Sequence, residues 1–278
     1  MAGQGWRPSP VARRRYRPDP ARHRGCIVTA LLPILLFAVQ AAGPAAPTGL
    51  TPEARYDSCV DAATTDPESA ERIAGQWRLV GGGFLARQCL GMSYATRERW
   101  KAAAEAFEQA AREAEVAKDV RAANYWAQAG NARLADGDTG AAGTALDAAL
   151  ATGSLTGLAR GEAQLDRARV RVAAGDLTGA RGDLDRAVKD APADPLAWLL
   201  SATLARRTGD LPRARADIAE ALRRSADDAS VQLEAGNIAG LSGDTEAARA
   251  AFEAAQRLAP DSAQAKAAAT AIDTLPVE

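Results

Sequence analysis

The sequence predicts an all-α protein in which antiparallel helix pairs stack into a solenoid. A Gly-Asp dipeptide recurs at Gly137, Gly175, Gly209 and Gly243, at intervals of 38, 34 and 34 residues. Each copy separates two alanine-rich stretches, and a repeat of this period is typical of stacked helical units. Hydrophobic residues make up 47% of the chain but aromatic residues only 5%. Alanine and leucine, both strong helix formers, must therefore supply most of the packing.

The first 42 residues have the order of a secretory leader. Seven arginines and one acidic residue, Asp19, precede an apolar run of 17 residues at 26–42, which ends on small residues at 39–41. This order predicts a cleaved signal peptide. An uncleaved membrane anchor is the alternative, although the run is short for a spanning helix and Pro33 interrupts it. Either way the basic side stays cytoplasmic, so we expect export to the periplasm or cell envelope, with inner-membrane anchoring in the second case.

Two segments flank the repeated part of the chain. Residues 43–52, rich in proline and alanine, predict a flexible linker, and residues 53–83 predict a helix pair that ends at three consecutive glycines. At the other end, residues 262–278 predict a helix followed by a short tail. The end of a solenoid must shield its last apolar face, so we expect this helix to cap the array.

Between these segments, residues 84–261 divide into five units of similar pattern. Their approximate bounds are 84–117, 123–156, 161–194, 195–228 and 229–262. In the fourth unit, positions 8, 20 and 27 carry small residues, which are Ala202, Ala214 and Ala221. Small residues at these positions allow helices to approach closely, and larger residues at positions 4 and 24 fill the remaining space. Neither helix of a unit can bury its apolar stripe alone, so the units must stack.

The Gly-Asp dipeptide fits the turn between the two helices of a unit. Gly209 can end the first helix because glycine accepts the left-handed conformation without steric cost. Asp210 can then cap the second helix by accepting a hydrogen bond from an otherwise unpaired backbone N–H. Pro212 falls in the first turn of that helix, where its missing donor is harmless. We therefore assign the recurring dipeptide to architecture rather than to chemistry.

The spacing of these residues resembles that of the tetratricopeptide repeat family. The family's unit of about 34 residues carries Trp, Leu-Gly, Tyr, Ala, Phe, Ala and Pro at the corresponding places. The resemblance covers roughly residues 84–261 and is to exported bacterial members of the family. Arg133, Arg171, Ala205 and Ala239 depart from the pattern, since they stand where the family usually has a large aromatic residue.

The resemblance also implies a binding surface. In such arrays the first helix of each unit lines a concave face, and a few fixed positions on it meet the ligand. On this chain the positions carry Gln88, Met92, Asn131, Leu165, Arg169, Leu199, Thr203, Arg206, Leu233 and Asn237. Leucines flanked by asparagine and arginine suit an extended or helical peptide. The alternative for Asn131 and Asn237 is that they bond only to local backbone or water.

The cysteines bear on the compartment and on the N-terminal end. Cys26 lies in the apolar run and would leave with a cleaved signal, so Cys59 and Cys89 remain. Two cysteines in an exported chain predict a disulfide, worth about 3 kcal/mol for a loop of this length. Two buried thiols in a packed interface are the alternative.

Catalytic and nucleic-acid-binding functions find little support in the residues. The only histidine, His23, lies in the basic leader, so the body lacks an imidazole for a Ser-His pair or a metal site. No Gly-Lys dipeptide is present for a phosphate-binding loop. Without the seven bases and one acid of the leader, 27 basic residues remain against 34 acidic ones, a net charge of −7. An acidic body argues against binding nucleic acid.

The sequence therefore predicts a non-catalytic scaffold or adaptor in the cell envelope that holds a protein or peptide partner. We expect no cofactor, no metal and no nucleic acid, and membrane contact only through residues 26–42 if these are uncleaved. Two alternatives stay open. One is an enzyme that acts on an envelope polymer through carboxylate chemistry, and the other is a structural domain that self-associates.

Overall fold

A computed structural model describes residues 50–276, which form thirteen α-helices and no β-strand. The predicted leader, the apolar run and most of the predicted linker lie outside the described residues. The helices are α1 (Pro52–Thr65), α2 (Pro67–Leu79), α3 (Gly83–Thr96), α4 (Trp100–Val116), α5 (Ala122–Ala135), α6 (Thr139–Ala151), α7 (Gly157–Ala173), α8 (Leu177–Asp190), α9 (Pro195–Arg207), α10 (Leu211–Arg224), α11 (Ala229–Leu241), α12 (Thr245–Leu258) and α13 (Ala263–Asp273). The all-α solenoid predicted from the sequence is confirmed.

The helices form two layers. Each helix packs against its neighbours in the chain, and odd-numbered helices also contact the next odd-numbered helix, as α7 does with α9 and α9 with α11. Even-numbered helices of the described part make no contact of comparable extent with one another. The array therefore curves toward the odd-numbered helices, which form the inner layer. We number the pairs α3–α4, α5–α6, α7–α8, α9–α10 and α11–α12 as repeats 1 to 5.

The turns inside repeats 2 to 5 share one geometry. Their glycines, such as Gly209, have φ between +80° and +82°, where glycine alone is unstrained. The aspartate that follows caps the next helix, and Asp210 Oδ1 accepts a hydrogen bond from the N–H of Arg213 at 3.2 Å. Repeat 1 differs, because Glu98 takes the left-handed conformation with φ of 55° and Arg99 at the N-cap provides no side-chain hydrogen bond.

Small residues allow close contact between the helices of a pair. A Cβ atom added to Gly91 would lie 2.6 Å from the ring of Phe107, and one added to Gly130 would lie 2.6 Å from Leu146. Both distances are well inside van der Waals contact, so a larger residue at position 8 of these repeats would require Phe107 or Leu146 to shift. The large residues at position 24 use the space that the glycines leave.

At two of the four positions where the family usually has a large aromatic residue, this chain has an arginine that forms polar contacts instead. Arg133 Nε donates to Glu108 Oε1 at 2.8 Å and so ties α5 to α4 of the preceding repeat. Arg171 Nη1 donates to the carbonyl oxygen of Gly179 at 3.0 Å and lies 2.9 Å from Asp183 Oδ2. Arg133 thus connects α5 with α4, and Arg171 connects α7 with α8, through polar contacts rather than aromatic packing.

A fully buried carboxylate, Asp183, lies between α7 and α8 in repeat 3. Arg167 binds both of its oxygens, with Nε to Oδ2 at 2.9 Å and Nη2 to Oδ1 at 2.7 Å, and Arg186 also donates to Oδ1. Burial favours the protonated acid, but the hydrogen bonds from Arg167 and Arg186 outweigh it and lower the pKa of Asp183. The charge is therefore held in the interior by its arginine partners.

A second polar network joins repeat 3 to repeat 4. Arg181 donates to Ser201 through Nη2 to Oγ at 2.5 Å and through Nη1 to the carbonyl oxygen at 3.1 Å. The Ser201 hydroxyl in turn donates to Asp217. Arg213 closes the network, with Nε to Asp217 Oδ2 at 2.6 Å and Nη2 to Asp185 Oδ1 at 2.9 Å. These bonds fix how the two repeats are placed against each other.

Candidate functional site

A cleft of about 150 Å³ opens on the inner layer between α7 and α9. Its lining is mainly apolar, with cationic and hydroxyl groups at the rim. The residues that line it are Ala168, Arg169, Val172, Leu184, Leu200, Thr203, Leu204 and Arg207. We call this the inner cleft.

Helical spacing explains why these residues meet. On α9, Leu200, Thr203 and Leu204 are separated by three and four residues, which places them on one face of the helix. Arg207 extends the same face by one turn. On α7, Arg169 and Val172 are likewise three residues apart. The cleft therefore has an apolar floor with an arginine on each side.

A buried acid lies one turn before Arg169 on α7. Asp166 is 8% exposed, and its Oδ1 accepts a hydrogen bond from Arg169 Nη1 at 3.2 Å. Burial raises the pKa of Asp166 to about 6, against the lowering effect of Arg169 and of a hydrogen bond from Asn131. Arg169 is thus oriented by Asp166 while its side chain still reaches the cleft.

Charges of opposite sign lie at the two ends of this part of the inner layer. Burial raises the pKa of Glu162 and of Asp194, near the starts of α7 and α9. Near the end of α9, Arg206 is paired with Glu234 through Nε to Oε1 at 2.6 Å and Nη2 to Oε2 at 3.1 Å. Arg207 is exposed and forms no ion pair within residues 50–276. It is the free cation of the inner cleft.

The residues predicted for the concave face fall into two groups. Arg169 and Thr203 line the inner cleft, and Arg206 lies beside it on α9. Asn131 hydrogen-bonds Asp166, and Asn237 Nδ2 lies 3.4 Å from Glu234 Oε2. Both asparagines therefore bond to neighbouring carboxylates, a contact that the sequence did not reveal.

The other predicted residues serve mainly in packing. Leu165 and Leu199 are buried in the cores of repeats 3 and 4, so they can support a bound ligand but not touch it. Gln88 is buried and bonds to Tyr56 at 2.5 Å. Met92 and Leu233 are half-buried, Met92 against α1 to α4 and Leu233 against the cluster that includes α13. The reason is geometric, because position 5 of the inner helix turns toward the next helix of its layer.

Position 13 of the fourth unit, next to Arg206, also faces the ligand in such arrays, and its Arg207 lines the cleft. The sequence did not assign the five apolar lining residues to the ligand, which are Ala168, Val172, Leu184, Leu200 and Leu204. Leu200 is one residue beyond Leu199, and one residue is about 100° of helical rotation. That rotation moves the side chain from the core to the cleft. The sequence did not show which face of α9 lines the cleft. The adjacent arginines Arg206 and Arg207 were its one indication of that face.

The cysteine pair lies where α1 meets α3. The Sγ atoms of Cys59 and Cys89 are 1.97 Å apart and the Cα atoms 6.0 Å apart, within the range for a disulfide. Both residues are fully buried, among Ala63, Ala70 and Ala74.

Metal-binding clusters and membrane-spanning helices are both absent from residues 50–276. No group of three or more histidine, cysteine, aspartate or glutamate side chains in that range is arranged to hold a metal ion. None of the helices α1 to α13 combines the length and the apolar character needed to cross a bilayer.

Family models of the tetratricopeptide repeat match this chain at residues 127–195 and 165–230, and at residues 229–262. The matches cover repeats 2 to 5 and omit α1 to α4. A search of curated proteins found no match.

Solved structures show the same fold at low sequence identity. The chain is similar to PilF of Pseudomonas aeruginosa (TM-score 0.64, 16% identity, covering 77% of this chain and 96% of PilF). It is also similar to PilW, described as a widely conserved type IV pilus biogenesis factor (TM-score 0.64, 18% identity, covering 78% and 98%). A third is YrrB, described as a TPR protein with an unusual peptide-binding site (TM-score 0.52, 20% identity, covering 68% and 91%).

Proposed function

Because the chain belongs to the tetratricopeptide-repeat family, whose fold is generally a non-catalytic protein-interaction scaffold, we propose that it holds a peptide segment of a protein partner in the inner cleft. The observation that carries the proposal is the inner cleft itself. Its apolar floor can receive an aliphatic or aromatic side chain, and Arg207 can pair with a carboxylate of the same peptide.

The charges around the cleft suggest which peptide is favoured. Arg169 is already bonded to Asp166 and Arg206 to Glu234, so Arg207 is the cation that has most to gain from a ligand. Glu162 and Asp194, at the starts of the two helices, favour a basic or neutral group at that end. We expect an apolar residue next to an acidic one, with the acidic group toward the end of α9.

Export to the cell envelope is part of the proposal. It is supported by the basic stretch and apolar run in residues 1–42 and by the two cysteines whose sulfur atoms lie at bonding distance. PilW, a structural relative, is described as a pilus biogenesis factor, which is consistent with an assembly role in the envelope.

The proposal is tested by affinity capture from an envelope extract with three forms of the chain. Leu200→Glu puts a charge on the cleft floor, whereas Leu177→Glu makes the same change at an exposed leucine at the start of α8. We expect the partner to be retained by the wild type and by Leu177→Glu, and its recovery to fall at least tenfold with Leu200→Glu. Equal recovery by all three would refute the cleft as the binding site. Circular dichroism confirms that the variants are folded.

A non-catalytic role has a separate test. If an envelope polymer is turned over by the purified chain, and Asp166→Asn abolishes the turnover, the scaffold interpretation is wrong. Asp166 is the relevant carboxyl because its pKa of about 6 is nearest to that of a general acid.

A further inference from the structure

Exposed aliphatic side chains are concentrated on one edge of the solenoid. They belong to the turns that lead from α2 to α3, from α4 to α5 and from α6 to α7. The residues are Leu79, Val80, Val116, Val120 and Leu158, and we call them the apolar edge. Leu79 is 80% exposed and Val116 is 87% exposed. Such exposure of large aliphatic groups is unfavourable in water, so it indicates a contact surface.

Contacts between the turns show that they form one surface. The guanidinium carbon of Arg121, in the α4–α5 turn, lies 5.0 Å from the centre of the Phe84 ring at the start of α3. Ser154 Oγ, in the α6–α7 turn, donates to the carbonyl oxygen of Val120 at 3.5 Å. Each turn therefore touches the next along the edge.

The described part of the chain begins at this same edge. Arg55, in the first turns of α1, lies with its guanidinium carbon 6.0 Å from the centre of the ring of Trp77 near the end of α2. Leu50, just before α1, is 61% exposed. Only seven residues, 43–49, lie between it and residue 42, the last of the apolar run, and the eight Cα–Cα steps from 42 to 50 can span at most about 29 Å. If residues 26–42 are retained as an anchor, this reach keeps the bilayer close to the apolar edge.

The charges at the edge are complementary to anionic lipid. Arg78 and Lys118 are exposed and form no ion pair within residues 50–276. Asp119 Oδ2 is paired with Arg121 at 2.6 Å, whereas Glu115 Oε1 accepts from the neutral Trp126 Nε1 at 2.7 Å and keeps its charge. With Arg78, Lys118 and Arg121 against Glu115 and Asp119, the α2–α3 and α4–α5 turns still carry a net positive charge. In an isologous dimer the free cations would come close to each other, whereas anionic headgroups would neutralise them.

The corresponding turns of the C-terminal half have a different character. The turn between α10 and α11 contains Asp227 and Asp228, both exposed, and the turn between α12 and α13 contains Asp261. These carboxylates would be repelled by an anionic surface. Although Leu258 is exposed at the end of α12, these carboxylates make the C-terminal half of this edge less suited to an anionic membrane than the N-terminal half.

From these observations we infer that the apolar edge rests on the surface of a bilayer that contains anionic lipid. This goes beyond the proposed peptide-binding function and beyond membrane contact through residues 26–42 alone. Aliphatic side chains enter the interface, and Arg78 and Lys118 bind headgroups. The inner cleft, which lies on α7 and α9 toward the C-terminal half, would remain accessible from the aqueous side.

The test uses the full chain in vesicles of phosphatidylcholine with 30% phosphatidylglycerol. In a Cys26→Ala background, which removes the third cysteine, a nitrobenzoxadiazole label is attached at Val116→Cys or, as a matched control, at Leu241→Cys, an exposed leucine at the other edge. We expect lipids brominated in the upper acyl chain to quench the Val116 label by at least half and the Leu241 label by less than a tenth. Quenching at Val116 should fall severalfold in vesicles without phosphatidylglycerol or with Lys118→Glu.

Two results would overturn the inference. Equal quenching of the two labels would show that the chain is held only by residues 26–42 and that the apolar edge has no preferred contact. A Val116 label that moves to an apolar environment without vesicles, together with a doubled mass in light scattering, would show that a second copy of the chain covers the edge. Peptide capture through the inner cleft can succeed or fail independently of either result.

Discussion

Repeat 1 and repeat 3 have the same helix-pair geometry but are held together by different chemistry. Repeat 1 has Glu98 in its turn instead of glycine, no aspartate cap, and the Cys59–Cys89 contact to α1. Repeat 3 has the Gly175-Asp176 turn and the buried Asp183. The Gly-Asp pattern seen in the sequence therefore marks the unstrained turn of a repeat. The fold also accepts the strained turn of repeat 1, where the contact between Cys59 and Cys89 holds α3 against α1.

The largest effect is expected in repeat 3. Asp183→Ala should lower the free energy of unfolding by about 3–5 kcal/mol, because it leaves Arg167 in the interior without its main partner. Repeat 2 has Ala145 and Ala129 at the two equivalent positions. The double variant Asp183→Ala, Arg167→Ala should therefore be more stable than the single one. Urea unfolding followed by circular dichroism measures the stability of both variants. A double variant less stable than Asp183→Ala would show that the unpaired Arg167 is not the source of the loss.

The matching experiment in the N-terminal part removes both cysteines. Cys59→Ala with Cys89→Ala should cost about 3 kcal/mol, since a bridge across 30 residues restricts the unfolded chain. A reductant should lower the unfolding midpoint of the wild type to a similar extent and leave the double variant unchanged. A wild type indifferent to reductant would indicate that the two thiols are free.

Substitution of Asp166 should have a smaller effect on the free energy of unfolding, and should raise it rather than lower it. Its folded-state pKa of about 6 exceeds the unfolded value of 3.8, so its contribution to stability is fully present below about pH 4 and is lost as the pH rises through 6. Asp166→Asn should then stabilise the chain at pH 7.5 by about 2–3 kcal/mol and have little effect near pH 4. Asp136→Asn, at an exposed position, serves as the control. A loss of stability at pH 7.5 would show that Asp166 is favourable as a carboxylate.

The smallest effects concern the turns themselves. Glu98→Gly should raise the free energy of unfolding by about 1 kcal/mol, because a side chain at φ of 55° is strained. Gly209→Ala, at φ of +81°, should lower it by a similar amount. Thermal unfolding in parallel would detect both shifts. If both substitutions destabilise, the Glu98 side chain makes a favourable contact that outweighs the strain.

Much of the fold could be predicted because its determinants are local. Gly209 and Asp210 act within the turn they belong to, and alanine at position 8 or 20 follows from helix spacing alone. The networks around Asp183 and Ser201 could not be predicted, since their partners come from different helices. An aspartate beside arginines has the same sequence signature on a solvated surface as in the interior.

The candidate site was predicted less completely than the fold. Arg169 and Thr203, both at position 9 of their units, line the cleft. Leu199 and Leu200 were interchanged, because an error of one residue in the phase of a helix separates a core side chain from an exposed one. Neither the pairing of Arg206 with Glu234 nor the free charge of Arg207 is visible from spacing.

The bonds from Arg181 to Ser201 and from Arg213 to Asp185 also limit how the array could be shortened. Excision of residues 195–228 would set repeat 3 directly against repeat 5, where Ala235 and Ala247 stand in place of Ser201 and Arg213. Arg181 would then lose the hydroxyl acceptor of Ser201 and keep only a backbone carbonyl at that place and Asp185 on its own helix. Although the units look interchangeable in sequence, the contacts between repeats 3 and 4 are specific to this pair. Duplication or loss of a single unit there would require compensating substitutions in both of the repeats that become neighbours.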